Sequence, residues 1–328
     1  MFLRLTTSYA GAVDVITRLL LEMRSNGALF DRDVLSGPWS VRFEDTSGLT
    51  LVTLLHGSGW VHVGAEPPVP IAAKDFVVLV GAEDVVVSDQ ELCGGDPTVM
   101  VTGVHECRDH RGIDVADDVR LGSHVLDEPG AGTAAMLTGR YQVRGRLSDR
   151  LLSALPTVLV VPGDGRPCPI LDLTVDELRR AGPGSQAILD RLLDVLMLTA
   201  LRDWLELNES PAPAWYQALA DPVVGPPMKA MHDQPAAAWT VEQMARIAGV
   251  SRATFSRRFS ELVGETPMAY LNGWRLAVAA DLLARGGSTV DAVAREVGYA
   301  NGYALSVAFK RVYGLRPSDY RRADVLVG

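Results

Sequence analysis

The sequence predicts an α+β multidomain protein: a small β-barrel toward the N-terminus, a helical linker, and a C-terminal all-α domain with two helix-turn-helix motifs. Three observations predict it. Short β-rich runs separated by glycine and proline fill Gly37 to Ser88, a broadly apolar helix runs from Ser185 to Leu207, and one pattern of paired short helices occurs twice between Thr240 and Arg322. The expected boundaries are 1–165, 166–228 and 229–328, with the two motifs at about 240–263 and 288–313.

Composition supports the division. A chain of 328 residues with 48% hydrophobic and 22% charged content is long enough for two folded domains. Its net charge of −9 is unevenly spread: residues 229–328 carry 13 Lys and Arg against 9 Asp and Glu, and the rest is strongly acidic. A mildly basic module joined to an acidic one suits a nucleic-acid-binding part with a separate sensor. Ile16 to Met23 is short and interrupted by Arg18 and Glu22, unlike a signal peptide, and no run approaches the roughly 20 apolar residues of a membrane span. Cys93, Cys107 and Cys168 are odd in number and scattered, which argues against a disulfide framework. A cytoplasmic location without membrane association is expected.

Taken in order, residues 1 to about 30 read as an amphipathic helix with Val13, Val15, Ile16, Leu19 and Leu20 apolar. Strands are expected at Trp39–Phe43, Leu49–Leu55, Gly59–Val63, Phe76–Val80, Val85–Val87, Val99–Val104, Ala134–Tyr141 and Thr157–Val161, a spacing that suits a barrel or sandwich of small hairpins. Gly37-Pro38-Trp39, Gly57 with Gly59-Trp60, Phe76 to Leu79 before Gly81, and Gly139 with Leu151 to Pro156 resemble the cupin-type sensor domain. That resemblance covers most of residues 5–165 and implies a cupin-like β-barrel. Trp39, Trp60 and His62 are the candidate ligand-facing residues, taken as inward positions on the hairpins.

Enzymatic cupins hold a divalent metal with paired histidines and a carboxylate. Here His56 and His62 stand on the first hairpin, but Glu83 and Asp84 occupy the second motif where histidine is expected. The ordinary reading, a hairpin-end histidine and a strand histidine, is preferred to a metal at His56 and Asp84. In His105-Glu106-Cys107-Arg108-Asp109-His110 three zinc ligands or a reactive thiol are conceivable, but the charged run onward to Asp118 favours a polar surface loop. No metal, cofactor or catalytic residue is expected.

From Ser185 to Leu207, Ile188, Leu189, Leu192, Leu193, Leu196, Leu201, Trp204 and Leu205 cover more than one face, so the helix must be buried on several sides, with part of it open to homodimer formation. Pro211 to Pro213, Pro222 and Pro226-Pro227 read as a connector around a short helix at Trp215–Ala220, with the next helix beginning at Lys229.

The repeated pattern is physical before it is familial. Thr240 and Gln243 form a capping box, Met244, Ile247 and Ala248 a stripe, Gly249 the turn, and Ser251 the cap of a helix burying Phe255, Phe259 and Leu262. In the second copy Ser288 is the expected cap, Val290, Val293, Ala294 and Val297 the stripe, Gly298 the turn, and Asn301 the cap of a helix burying Leu305, Ala308, Phe309 and Val312. Between them Pro267–Leu283 reads as a spacer helix with Met268, Leu271, Leu276, Ala279, Leu282 and Leu283 inward, able to hold two recognition helices about one DNA turn apart. Arg275 within it is expected either to hold the fold through carboxylates or to touch phosphate.

Gly298-Tyr299, Ala308-Phe309-Lys310-Arg311, Gly314, Pro317 and Tyr320-Arg321-Arg322, with Ser251, Phe255, Arg257, Phe259, Gly264, Pro267 and Tyr270, resemble the AraC/XylS family of bacterial transcription regulators. The resemblance implies a seven-helix DNA-binding domain. Carried over by position, Arg252, Ala253, Ser256 and Arg257 face DNA from the first unit, with Arg258 beside them, and Asn301, Gly302, Tyr303, Ser306 and Val307 from the second. The family often has arginine where this chain has Val307. Most polar base contacts are therefore expected from the first unit, and phosphate contacts from Lys310 and Arg311 with apolar contact to a thymine methyl from the second.

The expected function is a sequence-specific, non-enzymatic transcription regulator, an activator, controlled by a small molecule in the N-terminal barrel. Its expected partners are double-stranded DNA, a small-molecule effector, RNA polymerase and a second copy of the chain. The competing readings are a metal-dependent cupin enzyme fused to a DNA-binding domain, and a ligand-independent or redox-controlled regulator.

Overall fold

The computed structural model describes residues 30–36, 38–44, 48–82, 84–92, 96–103, 106–109, 111–114, 133–141, 145–163, 165, 167–180, 182–207 and 213–325. The helix expected at the N-terminus, together with Glu83, Cys93, His105 and His110, lies outside these residues. Two compact units are present, one holding the described residues of 30–141 and 155–207, the other 145–154 and 213–325.

The first unit is β-rich. Its strands are β1 (Phe30–Ser36), β2 (Ser40–Phe43), β3 (Leu49–His56), β4 (Ser58–Val63), β5 (Val69–Ala72), β6 (Phe76–Val80), β7 (Val85–Ser88), β8 (Val99–Gly103), β9 (Glu106–Arg108), β10 (Thr133–Tyr141) and β11 (Val158–Val161). They form two sheets, ordered β1-β10-β3-β6-β11 and β5-β4-β7-β2-β8-β9. Among the described residues the expected barrel is therefore two facing sheets rather than one closed ladder. Pairing is antiparallel except between β2 and β8. Because side chains alternate across a strand, Val41, Phe43, Val61, Val63, Val85 and Val87 meet Val52, Leu54, Val77, Leu79 and Met136 in one core, with Trp39 at 4% exposure. Burial of that apolar area is the main stabilising term of the unit.

The helices are α1 (Arg146–Leu152), α2 (Pro169–Arg180), α3 (Ser185–Glu206), α4 (Ala214–Ala220), α5 (Gly225–Asp233), α6 (Val241–Ile247), α7 (Arg252–Val263), α8 (Pro267–Arg285), α9 (Val290–Glu296), α10 (Gly302–Tyr313) and α11 (Pro317–Val325). In the β-rich unit α3 covers β10 closely: a Cβ at Gly139 would overlap the Leu193 side chain, so glycine sets that approach. The Tyr141 hydroxyl donates to Asp194 beside it. Leu189, Leu193, Leu196, Leu201, Trp204 and Leu205 are buried, while Ile188, expected with them, is 47% exposed. Helix α2, which is not among the elements the sequence predicts, is tied to α3 by Ser185 Oγ donating to buried Glu177 at 2.6 Å.

The second unit is helical. The paired prolines read as connector, Pro226 and Pro227, form the first turn of α5, where a missing N–H is harmless. Met244, Phe255, Phe259, Tyr270, Leu271 and Trp274 are buried in its first half, and Leu276, Ala279, Leu283, Val293, Val297, Leu305 and Phe309 in its second. Helix α8 runs through both as the spacer, 19 residues long. Ile247 is 45% exposed, and the short α6 buries Met244 and Ala245. Val312, in the last turn of α10, is 55% exposed. Leu262, Ala308, Met268 and Leu282 are half-buried.

Candidate nucleic-acid interface

Local chemistry places both recognition helices. Thr240 Oγ1 accepts from Gln243 N at 3.2 Å and Gln243 Oε1 accepts from Thr240 N at 2.8 Å, the reciprocal capping box expected for α6. Ser251 accepts from Thr254 N at the start of α7, and Asn301 from Ala304 N at the start of α10. Gly249 and Gly298 turn each pair with φ of 68° and 86°. At Gly298 any side chain would also collide, since a Cβ would lie 2.8 Å from Ala236 Cα. The cap of α9 is Thr289, not Ser288: Thr289 Oγ1 accepts from Ala292 N at 3.2 Å, while the Ser288 carbonyl accepts from Arg321 Nη2 at 2.6 Å. The 49-residue offset from Gly249 to Gly298, applied to Thr240, points to Thr289.

With Phe255 and Phe259 buried, α7 turns Arg252, Ala253 and Arg257 outward, all exposed, and Ser256 is half-buried among them. Arg252 pairs with Glu242 at 3.0 Å and Arg257 reaches Glu261 only at 4.0 Å, with 68% and 73% of the two arginine side chains exposed. Such surface pairs are weak and exchange readily for phosphate or a base edge. Helix α10 shows different chemistry. Tyr303 is 80% and Val307 55% exposed, and Lys310, on the same stripe, and Arg311 are exposed. Asn301 is exposed but its side-chain oxygen is the cap, and Ser306 Oγ donates to the Gly302 carbonyl at 2.7 Å.

Two residues expected at DNA are held by the protein. Gly302 is buried and its N–H donates to Asp291 Oδ1 at 2.7 Å, fastening α10 to α9. A Cβ there would come within 2.8 Å of that oxygen. The Arg258 guanidinium grips Asp221 with Nε 3.0 Å from Oδ2 and Nη2 2.5 Å from it. Asp221 also accepts the N–H groups of Val223 and Val224 at 2.9 Å, and its side chain is only 7% exposed. Arg275, expected either to hold the fold through carboxylates or to touch phosphate, donates to the carbonyls of Pro235 and Ala237 at 2.7 and 2.8 Å. These partners come from neighbouring segments that a helix-face reading of α7 and α8 does not include.

Asp221 yields a pH prediction. The hydrogen bonds from Arg258, followed by those from Val224 and Val223, hold its carboxyl below the usual carboxylate range against the opposing effect of burial. A depressed folded pKa gives stability that is present above the unfolded value, about 3.9, and lost as pH falls through the folded one. Urea unfolding should show Asp221→Asn destabilising the protein by a constant amount at neutral pH, with the difference from wild type shrinking in acid below that range. The same substitution removes the charge that holds Arg258 and one of its two acceptor oxygens, so nonspecific DNA binding should strengthen and its salt slope steepen by up to about one counterion. An unchanged slope would show that Arg258 points away from DNA.

In the β-rich unit the candidate ligand residues are divided. Trp39 points inward, as expected. Trp60 and His62 do not: they alternate with core residues Val61 and Val63 and so lie on the opposite face of β4. Trp60 lines an open groove of about 340 Å³ with Ser58, Pro70, Ala72 and Asp75. His62 Nε2 lies 3.0 Å from Ser88 Oγ and 3.1 Å from the Gln90 carbonyl, and since a carbonyl only accepts, Nε2 is the donor. Asp84 pairs with Arg42 at 3.6 Å. Among the described residues no three His, Cys, Asp or Glu side chains cluster as a metal site, and no helix is long and apolar enough to cross a membrane.

Comparison with known proteins gives two separate family matches. Residues 14–206 match the family model described as Cupin, and residues 244–323 that described as Helix-turn-helix domain. Over 315 residues the chain is 32% identical to an AraC-like transcription regulator of Streptomyces lividans, covering 94% of this chain and 97% of that one. The chain belongs to the AraC-like transcription regulators. The HTH-type transcriptional regulator AlkR of Acinetobacter baylyi is 36% identical over 146 residues, 44% of this chain and 47% of the relative. The DNA-binding domain of AdpA, solved in complex with a target DNA, is 34% identical, covers 31% of this chain and 92% of its own, and superposes with a TM-score of 0.30. As an AraC-like regulator, the protein carries its DNA-binding helix-turn-helix domain at the C-terminal end and a cupin region before it.

Proposed function

We propose that this AraC-like regulator reads an asymmetric, bipartite DNA site, with the two helix-turn-helix units doing different work. The observation that carries the reading is the contrast between two exposed helix faces: Arg252, Ser256 and Arg257 on α7, against Tyr303, Val307 and Lys310 on α10. Guanidinium groups donate in pairs to guanine, whereas an isopropyl group offers only contact with a thymine methyl. Lys310 and Arg311 supply phosphate contacts that set register without reading sequence.

The β-rich unit serves as the sensor, and the groove beside Trp60 is the described surface that suits a small effector with an apolar face. Control requires the effector to bind two arrangements of the protein with different affinity. The exposed Ile188 and Val195 of α3, with half-buried Leu192 between them, lie at i, i+4 and i+7 and support a homodimer seam along that helix. The protein works in the cytoplasm as a regulator rather than an enzyme. The pairing of Asp84 with Arg42 supports this reading over the metal-dependent alternative.

Two substitutions test the division of labour. Arg257→Ala should cost about 1–3 kcal/mol at its base pair and relax specificity there, whereas Lys310→Ala should weaken all sequences alike and reduce the salt slope by about one. Competition binding with single-base variants of the selected site reads both effects. Equal losses across all sequences for Arg257→Ala would make α7 a phosphate clamp and remove the reading.

A further inference from the structure

Helix α1 comes from the stretch of sequence expected to lie within the β-rich domain, yet it folds with the helical unit. Its N-terminus is capped from afar: buried Asp281 of α8 accepts the N–H of Arg146 at 2.7 Å and of Leu147 at 3.3 Å. Gly145, with φ of 112°, admits this approach, since a Cβ there would lie 3.0 Å from Asp281 Oδ1. Leu147 and Ser148 are buried at 2% and 0% exposure.

The two arginines of α1 stand one turn apart and reach opposite halves of the unit. Arg150 pairs with Glu265 at 2.7 Å and lies over the Tyr270 ring at 5.0 Å. Arg146 lies over Tyr313 and Tyr320 at 5.5 and 5.8 Å. Tyr270 and Tyr320 are equivalent positions of the repeat, each three residues beyond a proline and six beyond the glycine that ends a recognition helix, Gly264-Pro267-Tyr270 and Gly314-Pro317-Tyr320. One short helix thus holds the same aromatic position in both repeats, with its own start fastened to the spacer between them. Gly273 on α8 keeps the path open, for a Cβ there would overlap the Arg150 guanidinium.

We propose that α1 is a brace that fixes the setting of α7 relative to α10, and with it the spacing between the two half-sites the protein accepts. Two recognition helices on a rigid frame bind as a pair only where the DNA matches their separation. The chain enters α1 from β10 and leaves it for β11, so the brace is covalently continuous with the β-rich unit at both ends. Effector state in that unit thereby gains a route to spacing preference. The proposal rests on the bipartite reading above.

The test is binding of the full-length protein to a set of duplexes carrying the selected half-motifs at their native spacing and with one or two base pairs added or removed. Wild type should prefer native spacing by about tenfold, and the Arg146→Ala, Arg150→Ala double variant by about twofold or less, with affinity for each isolated half-motif unchanged. Both arginine side chains are partly exposed, at 45% and 30%, and a urea melt establishes that the variant is folded. Glu265→Gln, which keeps an acceptor for Arg150 but removes the negative charge and leaves α1 untouched, should give an intermediate preference. A folded double variant with the wild-type spacing profile overturns the brace alone. A wild type that binds one half-motif as well as two removes the bipartite reading and the brace with it.

Discussion

Trp274→Ala should lower the unfolding free energy of the helical unit by about 3–5 kcal/mol, the range for truncating a buried aromatic. Trp274 is fully buried on α8 and stacks on His232 of α5, centroids 3.8 Å apart and planes 26° from parallel. His232 Nε2 in turn lies 2.8 Å from the Tyr270 hydroxyl, and Tyr270, buried, has its phenol pKa pushed up by that burial. The indole Nε1 has no hydrogen-bond partner among the described residues, so removing the ring leaves no polar group orphaned. The loss should combine transfer and cavity energy with the lost stacking on His232. Urea unfolding followed by circular dichroism measures it. A loss below about 1 kcal/mol would mean that α5 and α8 close over the space, which a core packed at crystal-like density does not readily do.

Phe309→Ala should cost a similar amount, about 3–5 kcal/mol, with a narrower functional consequence. Phe309 is fully buried in the second repeat, 4.6 Å from the Tyr313 ring and edge-on to Tyr320 at 5.4 Å. Phe259 holds the equivalent place in the first repeat, edge-on to Tyr270 at 5.7 Å. Loosening α10 alone should abolish discrimination at the half-site it reads while leaving the α7 half-site legible. Phe259→Ala should give the opposite pattern. DNA selection with each variant separates the outcomes, and equal loss at both half-sites from Phe309→Ala would show that the repeats unfold as one.

The parts of this molecule legible in its sequence are the local ones. Thr240 with Gln243, Ser251 and Asn301 cap helices within three residues of themselves, and Gly249 and Gly298 turn at the positive φ that favours glycine, so short-range pattern sufficed. Eight strands followed from alternation and glycine or proline punctuation. Strands β1, β5 and β9 did not: β1 directly follows the stretch read as a helix, β5 has Pro70 among its four residues, and β9 has only three. Trp60 and His62 had the wrong face assigned because a one-residue choice of register inverts a whole strand. What the sequence could not show was partnership at a distance. Arg258 looks like a free surface charge on α7 until Asp221, 37 residues away, is placed against it. Helix α1 looks like part of the β-rich domain until Asp281, 135 residues on, caps it. The family position places Gly302 at DNA, and only the fold shows its N–H donating to Asp291.

The most direct measurement is selection of sequences bound by the full-length protein from a random DNA pool, at a fixed and stated salt concentration because phosphate contacts make affinity salt-dependent. The expected result is a bipartite, non-palindromic motif whose two parts lie about one helical turn apart, roughly 34 Å, with the sharper base preferences in the half read by α7. Enrichment of a single contiguous half-motif, or of no motif at all, would contradict it.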